Sequence, residues 1–260
     1  MKKNPESGWF GYTRTSPEEK TARVASVFSS VAENYDLMND FMSGGLHRPW
    51  KDHFVAKMRP RAGEAILDVA GGTGDIALRC AKKFREQSLM REAQSSRENI
   101  TICDINPDMI KVGQAKAIDQ GYLTGLNWVV GNAEKLPFAD NSFDLLSISF
   151  GLRNVTHIDE ALAEFARVLK TGGRFYCMEF SSGVISPLKK IYDLYSFSVL
   201  PWLGEKVAND REAYQYLAES IRQFPDQTAL TKRIKNASFD NVRHENLMGG
   251  IAAIHSGWIL

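Results

Sequence analysis

The segment Ile66-Leu67-Asp68-Val69-Ala70-Gly71-Gly72-Thr73-Gly74-Asp75 runs from an apolar strand directly into a glycine-rich turn and on toward a helix. Few folds accommodate that order. Glycines let the backbone come close to a ligand, and the start of the following helix offers unpaired N–H donors, so the segment reads as the first βα unit of a doubly wound sheet. Gly72-x-Gly74-x-x-Ala77 also fits the dinucleotide fingerprint of dehydrogenases, and a turn that holds no ligand is a third reading. The turn alone selects a fold class and leaves the function open.

The remaining pattern narrows the architecture. Apolar runs at Ala65–Val69, Ile100–Cys103 and Leu126–Val130 read as buried parallel strands, and Phe143–Ser149 and Arg174–Glu179 add two more around a helix at Ile158–Leu169. Strands alternating with helices predict a parallel sheet covered on both faces. Two last runs, Val242–Met248 and Ile251–Gly257, are joined by Gly249 and Gly250, which predicts a hairpin. A terminal antiparallel hairpin on such a sheet points to the Rossmann-like class I methyltransferase fold. With 260 residues, 43% of them hydrophobic, the chain fits one domain over residues 1–260. Residues 20–60 are expected to form a helical cap over the site. Residues 184–224 are expected to form an aromatic helical insertion with Tyr192, Tyr195, Phe197, Trp202, Tyr214, Tyr216 and Phe224, lining a substrate channel, meeting a membrane or a subunit, or packing into the core. The polar stretch Arg85–Asn99 reads as an extension of the first crossover helix or a loop.

Composition excludes several classes. Lys and Arg number 32 against 31 Asp and Glu, so no bulk charge draws the chain to nucleic acid. No apolar run is long enough to span a bilayer, and a peripheral contact stays open. Cys80, Cys103 and Cys177 lack metal or disulfide spacing and read as buried small hydrophobes. Met1–Glu19 has no apolar signal core and carries Glu6, Glu18 and Glu19, so any targeting segment is expected to have been removed or never to have existed.

A nucleoside site follows from what stands at each strand end. Asp104, with Ile105 beside it, ends the second strand and is placed to accept both ribose hydroxyls; it lies 30 residues after Gly74, and the polar stretch accounts for the excess over the usual spacing of roughly 20. In class I methyltransferases the residues after the third strand hold the adenine and the end of the fourth faces the methionine, which makes Asn132 and Ala133 candidates for the one and Ser149 for the other. Dehydrogenases lack this combination. The cofactor set is Asp68, Gly71, Gly72, Thr73, Gly74, Asp104, Ile105, Asn132, Ala133 and Ser149, with S-adenosylmethionine as ligand. Leu136-Pro137-Phe138 reads as a plain turn with a buried ring.

Two longer motifs carry a family resemblance. Tyr35-Asp36-Leu37-Met38-Asn39 continuing to Ser43, His47 and Trp50 fills every position of the pattern Y-D-x-M-N-x-x-hydrophobic-S-x-x-x-H-x-x-W, and Arg167 to Ser181 resembles a second signature, departing only at Thr171. Phe150-Gly151-Leu152-Arg153-Asn154-Val155-Thr156 lies between them. From about Phe28 to its end the chain resembles the UbiE-type quinone C-methyltransferases, the mitochondrial ubiquinone-pathway branch more than the bacterial one. The resemblance implies S-adenosylmethionine-dependent methylation of a ring carbon of 2-methoxy-6-polyprenyl-1,4-benzoquinol. It further implies a peripheral protein on the matrix side of the mitochondrial inner membrane, or a cytoplasmic one if bacterial, working beside other enzymes of a ubiquinone-synthesis complex. A homodimer is an open alternative. Other readings are a demethylmenaquinone methyltransferase and a catalytically silent cofactor-binding scaffold.

Methyl transfer from a sulfonium needs an electron-rich carbon held in line and a donor for the oxyanion that develops beside it. Arg153 is the candidate for that electrostatic role, since a guanidinium does not readily give up its proton, and Asn154 for orienting the ring oxygen. A salt bridge with a helix N-cap is the structural alternative for the pair. Tyr35 and Asp36 are expected to supply a hydroxyl and a proton acceptor from the cap, with helix capping the alternative for Asp36 and core packing for Met38 and Trp50. His47, His53, His157, His244 and His255 read as structural.

Overall fold

Neighbouring strand residues alternate in which core they feed, the period-two signature of a sheet covered on both sides. In the computed structural model, which describes residues 8–30, 40, 43–91, 99–184 and 211–260, Ile66, Ile100, Leu145, Tyr176 and Met178 pack into one cluster. Leu67, Val69, Leu146, Ile148, Phe175 and Cys177 pack into the other. Each fully buried Leu or Ile contributes roughly 1.5–3 kcal/mol, so a polar residue on either face would cost more than any helix propensity could return.

A small hairpin of β1 (Gly8–Phe10) and β2 (Thr13–Thr15) leads into α1 (Pro17–Ser30), and α2 (His47–Met58) precedes the sheet. The chain then alternates β3 (Ile66–Val69), α3 (Asp75–Arg91), β4 (Ile100–Asp104), α4 (Pro107–Asp119), β5 (Leu126–Val130), β6 (Phe143–Ser149), α5 (Ile158–Val168) and β7 (Leu169–Phe180). It ends with α6 (Arg211–Gln223), α7 (Gln227–Asn236), β8 (Asp240–Leu247) and β9 (Ala252–Trp258). The sheet order is β5-β4-β3-β6-β7-β9-β8, parallel except that β9 pairs antiparallel with both β7 and β8. The class I fold and its terminal hairpin are as the sequence implies, the two strands meeting through a 3-10 turn at Met248–Gly250.

Local chemistry explains the element ends. In α5, Ala161, Leu162, Phe165 and Val168 form one buried face, and Asp159 and Glu160 at its start with Arg167 at its end match the helix dipole. Asn106 caps α4 by accepting from the Asp108 and Met109 amides, with Pro107 in the first turn.

Two strand readings need correction. Leu126–Val130 is an edge strand rather than a buried one: last in the sheet order, it leaves Val130 57% exposed. The strand expected at Arg174–Glu179 begins at Leu169, because the chain bulges between the Phe143–Leu169 and Leu145–Arg174 pairs, with Gly172 at φ 82°. Arg85 to Arg91 extends the first crossover helix. Tyr35, Asp36, Met38, Tyr192, Tyr195, Phe197 and Trp202 lie outside the described residues. Tyr214, Tyr216 and Phe224 are core residues, as are Trp50 and the three cysteines. Among the described residues no helix is long and apolar enough to cross a membrane.

Candidate functional site

The strand order reverses between β3 and β6, and ligands of open α/β sheets bind beyond the carboxyl ends of the strands at such a point. A cleft lies there. Gly72, Asp104 with Ile105, Asn132 with Ala133, and Phe150 with Asn154 bring the ends of β3, β4, β5 and β6 into its wall. The fourth side is α1, through Thr21, Val24, Ala25 and Phe28. A smaller cavity shares Ala70 and Phe150 with the cleft and is lined also by Lys51, Asp68, Gly71, Thr73, Asp75 and Ser149.

Helix α1 is fastened to both lips. On one side the Asn106 amide donates to Ala25 O over 3.2 Å and to Ser29 Oγ over 3.0 Å; on the other Lys20 Nζ donates to Val155 O over 2.9 Å. Burial lowers the Lys20 pKa to about 8, only partly opposed by Glu134. Neither clamp was visible in the sequence, where polar residues on a helix resemble a solvated face.

The two residues shared by the cavities are both strained. Ala70 and Phe150 hold φ of 49° and 56°, left-handed values that cost a non-glycine residue on the order of 1–3 kcal/mol. Surrounding bonds hold Phe150 there: its amide donates to Met178 O over 2.8 Å, and its carbonyl accepts from the Arg153 guanidinium.

Asp104 organises the nucleoside end. Its Oδ2 accepts from the Gly72 amide and its Oδ1 from the Asn106 amide, each over 2.8 Å. Burial raises its pKa while these backbone donors act in the opposite direction. Gly72 has φ 55° and faces the cleft. Gly74 lines neither cavity: a Cβ there would lie 2.6 Å from the Trp128 ring, so its glycine is explained by packing as well as by φ 76°.

The smaller cavity holds polar atoms that lack partners among the described residues. Asp68 accepts from Ser147 Oγ over 2.7 Å through Oδ1, while its Oδ2 and Ser149 Oγ are buried with no hydrogen bond from any described residue. Burial raises the Asp68 pKa to about 7, the Ser147 bond opposing and Asp75 and Asp104 adding to the shift. A carboxylate and a hydroxyl left without partners beside a cleft with a ribose-type acid are what an adenosyl group with an amino-acid tail requires. The residues present fit S-adenosylmethionine, for which Asp104, Ile105, Asn132 and Ala133 would face the nucleoside and Asp68, Gly71, Thr73 and Ser149 the methionine.

Sequence reasoning put Arg153 beside the reacting ring oxygen; the structure puts its guanidinium behind the cleft wall. Its Nη1 donates to Glu179 Oε1 over 2.7 Å, and both side chains are 2% exposed. Glu179, the last residue but one of β7, is buried and requires a cation there, which is why the arginine turns inward. The salt bridge of the structural alternative is therefore present. The N-cap is not: α5 is preceded by His157, and Asn154 Oδ1 instead accepts from the Tyr216 hydroxyl over 2.9 Å. Asn154 itself lines the cleft. Tyr216 is stacked on Phe10, centroids 4.1 Å apart, so the N-terminal hairpin reaches the site through one ring. His47 is buried and bonds Asp40 over 2.8 Å, outside both cavity walls.

Comparison with known proteins places these features. The ubiE/COQ5 methyltransferase family model matches residues 16–259. The chain is 49% identical over 274 residues to a Bos taurus protein, covering 96% of this chain and 83% of the relative. It is 50% identical over 275 residues to one from Homo sapiens, covering 96% and 84%, and 52% identical over 254 residues to one from Arabidopsis thaliana, covering 95% and 88%. All three are described as mitochondrial 2-methoxy-6-polyprenyl-1,4-benzoquinol methylases. In fold the chain is similar to a Thermotoga maritima S-adenosylmethionine-dependent methyltransferase, with TM-score 0.61, 16% identity and coverage of 90% and 99%. A putative methyltransferase of the same cofactor class from Methanococcus maripaludis gives TM-score 0.58, 18% identity and coverage of 88% and 92%.

Proposed function

Because this chain belongs to the ubiE/COQ5 methyltransferase family, we propose that it methylates a ring carbon of 2-methoxy-6-polyprenyl-1,4-benzoquinol in ubiquinone biosynthesis, with S-adenosylmethionine as donor. One observation carries the reading from family to site: a single cleft joins the ribose-type acid Asp104 to Asn154, with an apolar wall of Val24, Ala25 and Phe28 between them.

The bound sulfonium supplies an electrophilic methyl and leaves as a neutral thioether. Everything else is positioning and charge. Tyr216 donates to Asn154 Oδ1, which leaves the Asn154 Nδ2 donors for an oxygen in the cleft. A quinol oxygen that loses its proton makes the neighbouring ring carbon nucleophilic, and a preorganised donor beside it stabilises the charge. Arg153, neutralised by Glu179, contributes by fixing Phe150 and the adjoining Asn154 rather than as a free cation. Tyr35 and Asp36, outside the described residues, would supply a hydroxyl and a proton acceptor. The apolar residues Val24, Ala25 and Phe28 of the α1 wall would keep water from the reacting carbon.

The mitochondrial description shared by the relatives supports a mitochondrial placement, and a polyprenyl substrate supports the finer one, peripheral on the matrix side beside other enzymes of the pathway. Incubation with labelled S-adenosylmethionine and a short-tail methoxy-benzoquinol, the product located by mass spectrometry, tests the reaction. Faster label transfer to a naphthoquinol would move the assignment to menaquinone chemistry, and no transfer to either would leave only a scaffold.

A further inference from the structure

Lys51 is a buried lysine on α2, its side chain 4% exposed, in the wall of the smaller cavity. Its Nζ donates to Asp75 Oδ2 over 2.7 Å, its one hydrogen-bond partner among the described residues. An ammonium carries three donors, so two remain unspent in a place where desolvation makes unspent donors costly. Asp75 is shared between two cations, since Arg79 Nε reaches its other oxygen over 3.1 Å. Structural pairing alone leaves the lysine over-provided.

Across the same cavity stands the opposite imbalance, Asp68 Oδ2, which has no hydrogen-bond partner among the described residues. Lys51 and Asp68 do not bond each other directly. A zwitterion placed between them satisfies both, its ammonium on the acid and its carboxylate on the lysine. The cavity also lies at the start of the 17-residue helix α3, whose N-terminal end favours an anion.

Resting on the methyl-donor reading above, we propose that Lys51 is a cofactor-binding residue that takes the methionyl carboxylate of S-adenosylmethionine. Asp68 takes the ammonium of the same group. The assignment gives the enzyme a means of distinguishing its donor and product from adenosyl thioethers that lack the carboxylate.

The test compares S-adenosylhomocysteine with its decarboxylated analogue by titration calorimetry on the full chain. The wild type is expected to bind the carboxylated ligand about tenfold to a hundredfold more tightly, the range for a charge-assisted hydrogen bond. Lys51→Met should lose that preference by weakening only the carboxylated ligand, and Lys51→Arg should keep most of it. Should Lys51→Met fail to fold because Asp75 loses a partner, the double variant Lys51→Met with Asp75→Asn removes both charges, and the same loss of preference is expected. Equal binding of both ligands to the wild type overturns the assignment alone, as does a Lys51→Met variant that weakens both by one factor. Binding of neither ligand overturns the methyl-donor reading and this assignment with it.

Discussion

Arg153 and Glu179 form an ion pair of 2.7 Å with both side chains 2% exposed, and the same guanidinium holds the carbonyl of the strained residue Phe150. Burial raises the Glu179 pKa, and Arg153 with the Phe180 and Arg153 amides opposes the rise. Such a pair is costly to break from one side and cheap to remove whole, since each charge alone is stranded in a dry interior. Glu179→Leu should therefore destabilise the fold by about 3–5 kcal/mol, while Arg153→Met combined with Glu179→Leu should recover most of that loss. Urea unfolding of the four proteins of this cycle measures it, and additive effects of the two changes would show that the pair is not a unit.

Tyr216 permits a narrower test of catalysis. Tyr216→Phe keeps the ring that stacks on Phe10 and deletes only the hydroxyl bonded to Asn154. Burial pushes the phenol pKa up, so the hydroxyl remains a donor at neutral pH. Losing a neutral hydrogen bond of about 0.5–1.5 kcal/mol should slow turnover roughly two- to tenfold, leaving affinity for S-adenosylhomocysteine unchanged. Normal single-turnover rates in this variant would remove Tyr216 from the positioning of Asn154.

At the nucleoside end, Asp104→Ala should weaken S-adenosylhomocysteine binding by about 1.5–3 kcal/mol, the range for hydrogen bonds to a charged group. The Gly72 and Asn106 amides also lose their acceptor, so the melting temperature should fall. Calorimetry showing wild-type affinity would contradict the ribose assignment. Saturable micromolar binding of a nicotinamide dinucleotide to the wild type would contradict the cofactor class.

That Asp104, Asn132, Ala133 and Ser149 line the two cavities was legible because each sits within a few residues of a strand end: Asp104 closes β4, Asn132 and Ala133 follow β5, and Ser149 closes β6. Strand ends in an α/β sheet converge by topology, so local reading suffices. Pairings across the chain were not legible in the same way. Tyr216 lies 62 residues from Asn154 and Lys51 lies 24 from Asp75, and no local pattern announces either contact. Gly74 shows a different limit, since a glycine required by a ligand and one required by the Trp128 ring leave the same letter in the sequence.

Asp68 gives the site a pH dependence whose sign can be worked out. Its pKa of about 7, raised chiefly by burial, means that the unliganded protein holds it neutral below that pH and charged above. A ligand ammonium requires the charged form, so affinity for S-adenosylhomocysteine should rise as pH increases through about 7 and level off beyond it. Stability of the free protein runs the other way. A carboxyl raised above its unfolded value binds more protons folded than unfolded, so its stabilising contribution is full below about pH 4 and is lost as pH climbs through 7. Asp75 titrates outside this window, because Lys51 and then Arg79 hold its pKa at about 2 against the opposing effect of burial. Asp68→Asn should consequently bind weakly with a flat profile between pH 5.5 and 7.5, and as the free protein it should melt higher than the wild type at pH 8. Calorimetry and melting on the same preparations check both signs. A wild-type affinity that is flat across the window, or an Asn variant that retains the slope, would place the ammonium somewhere other than on Asp68.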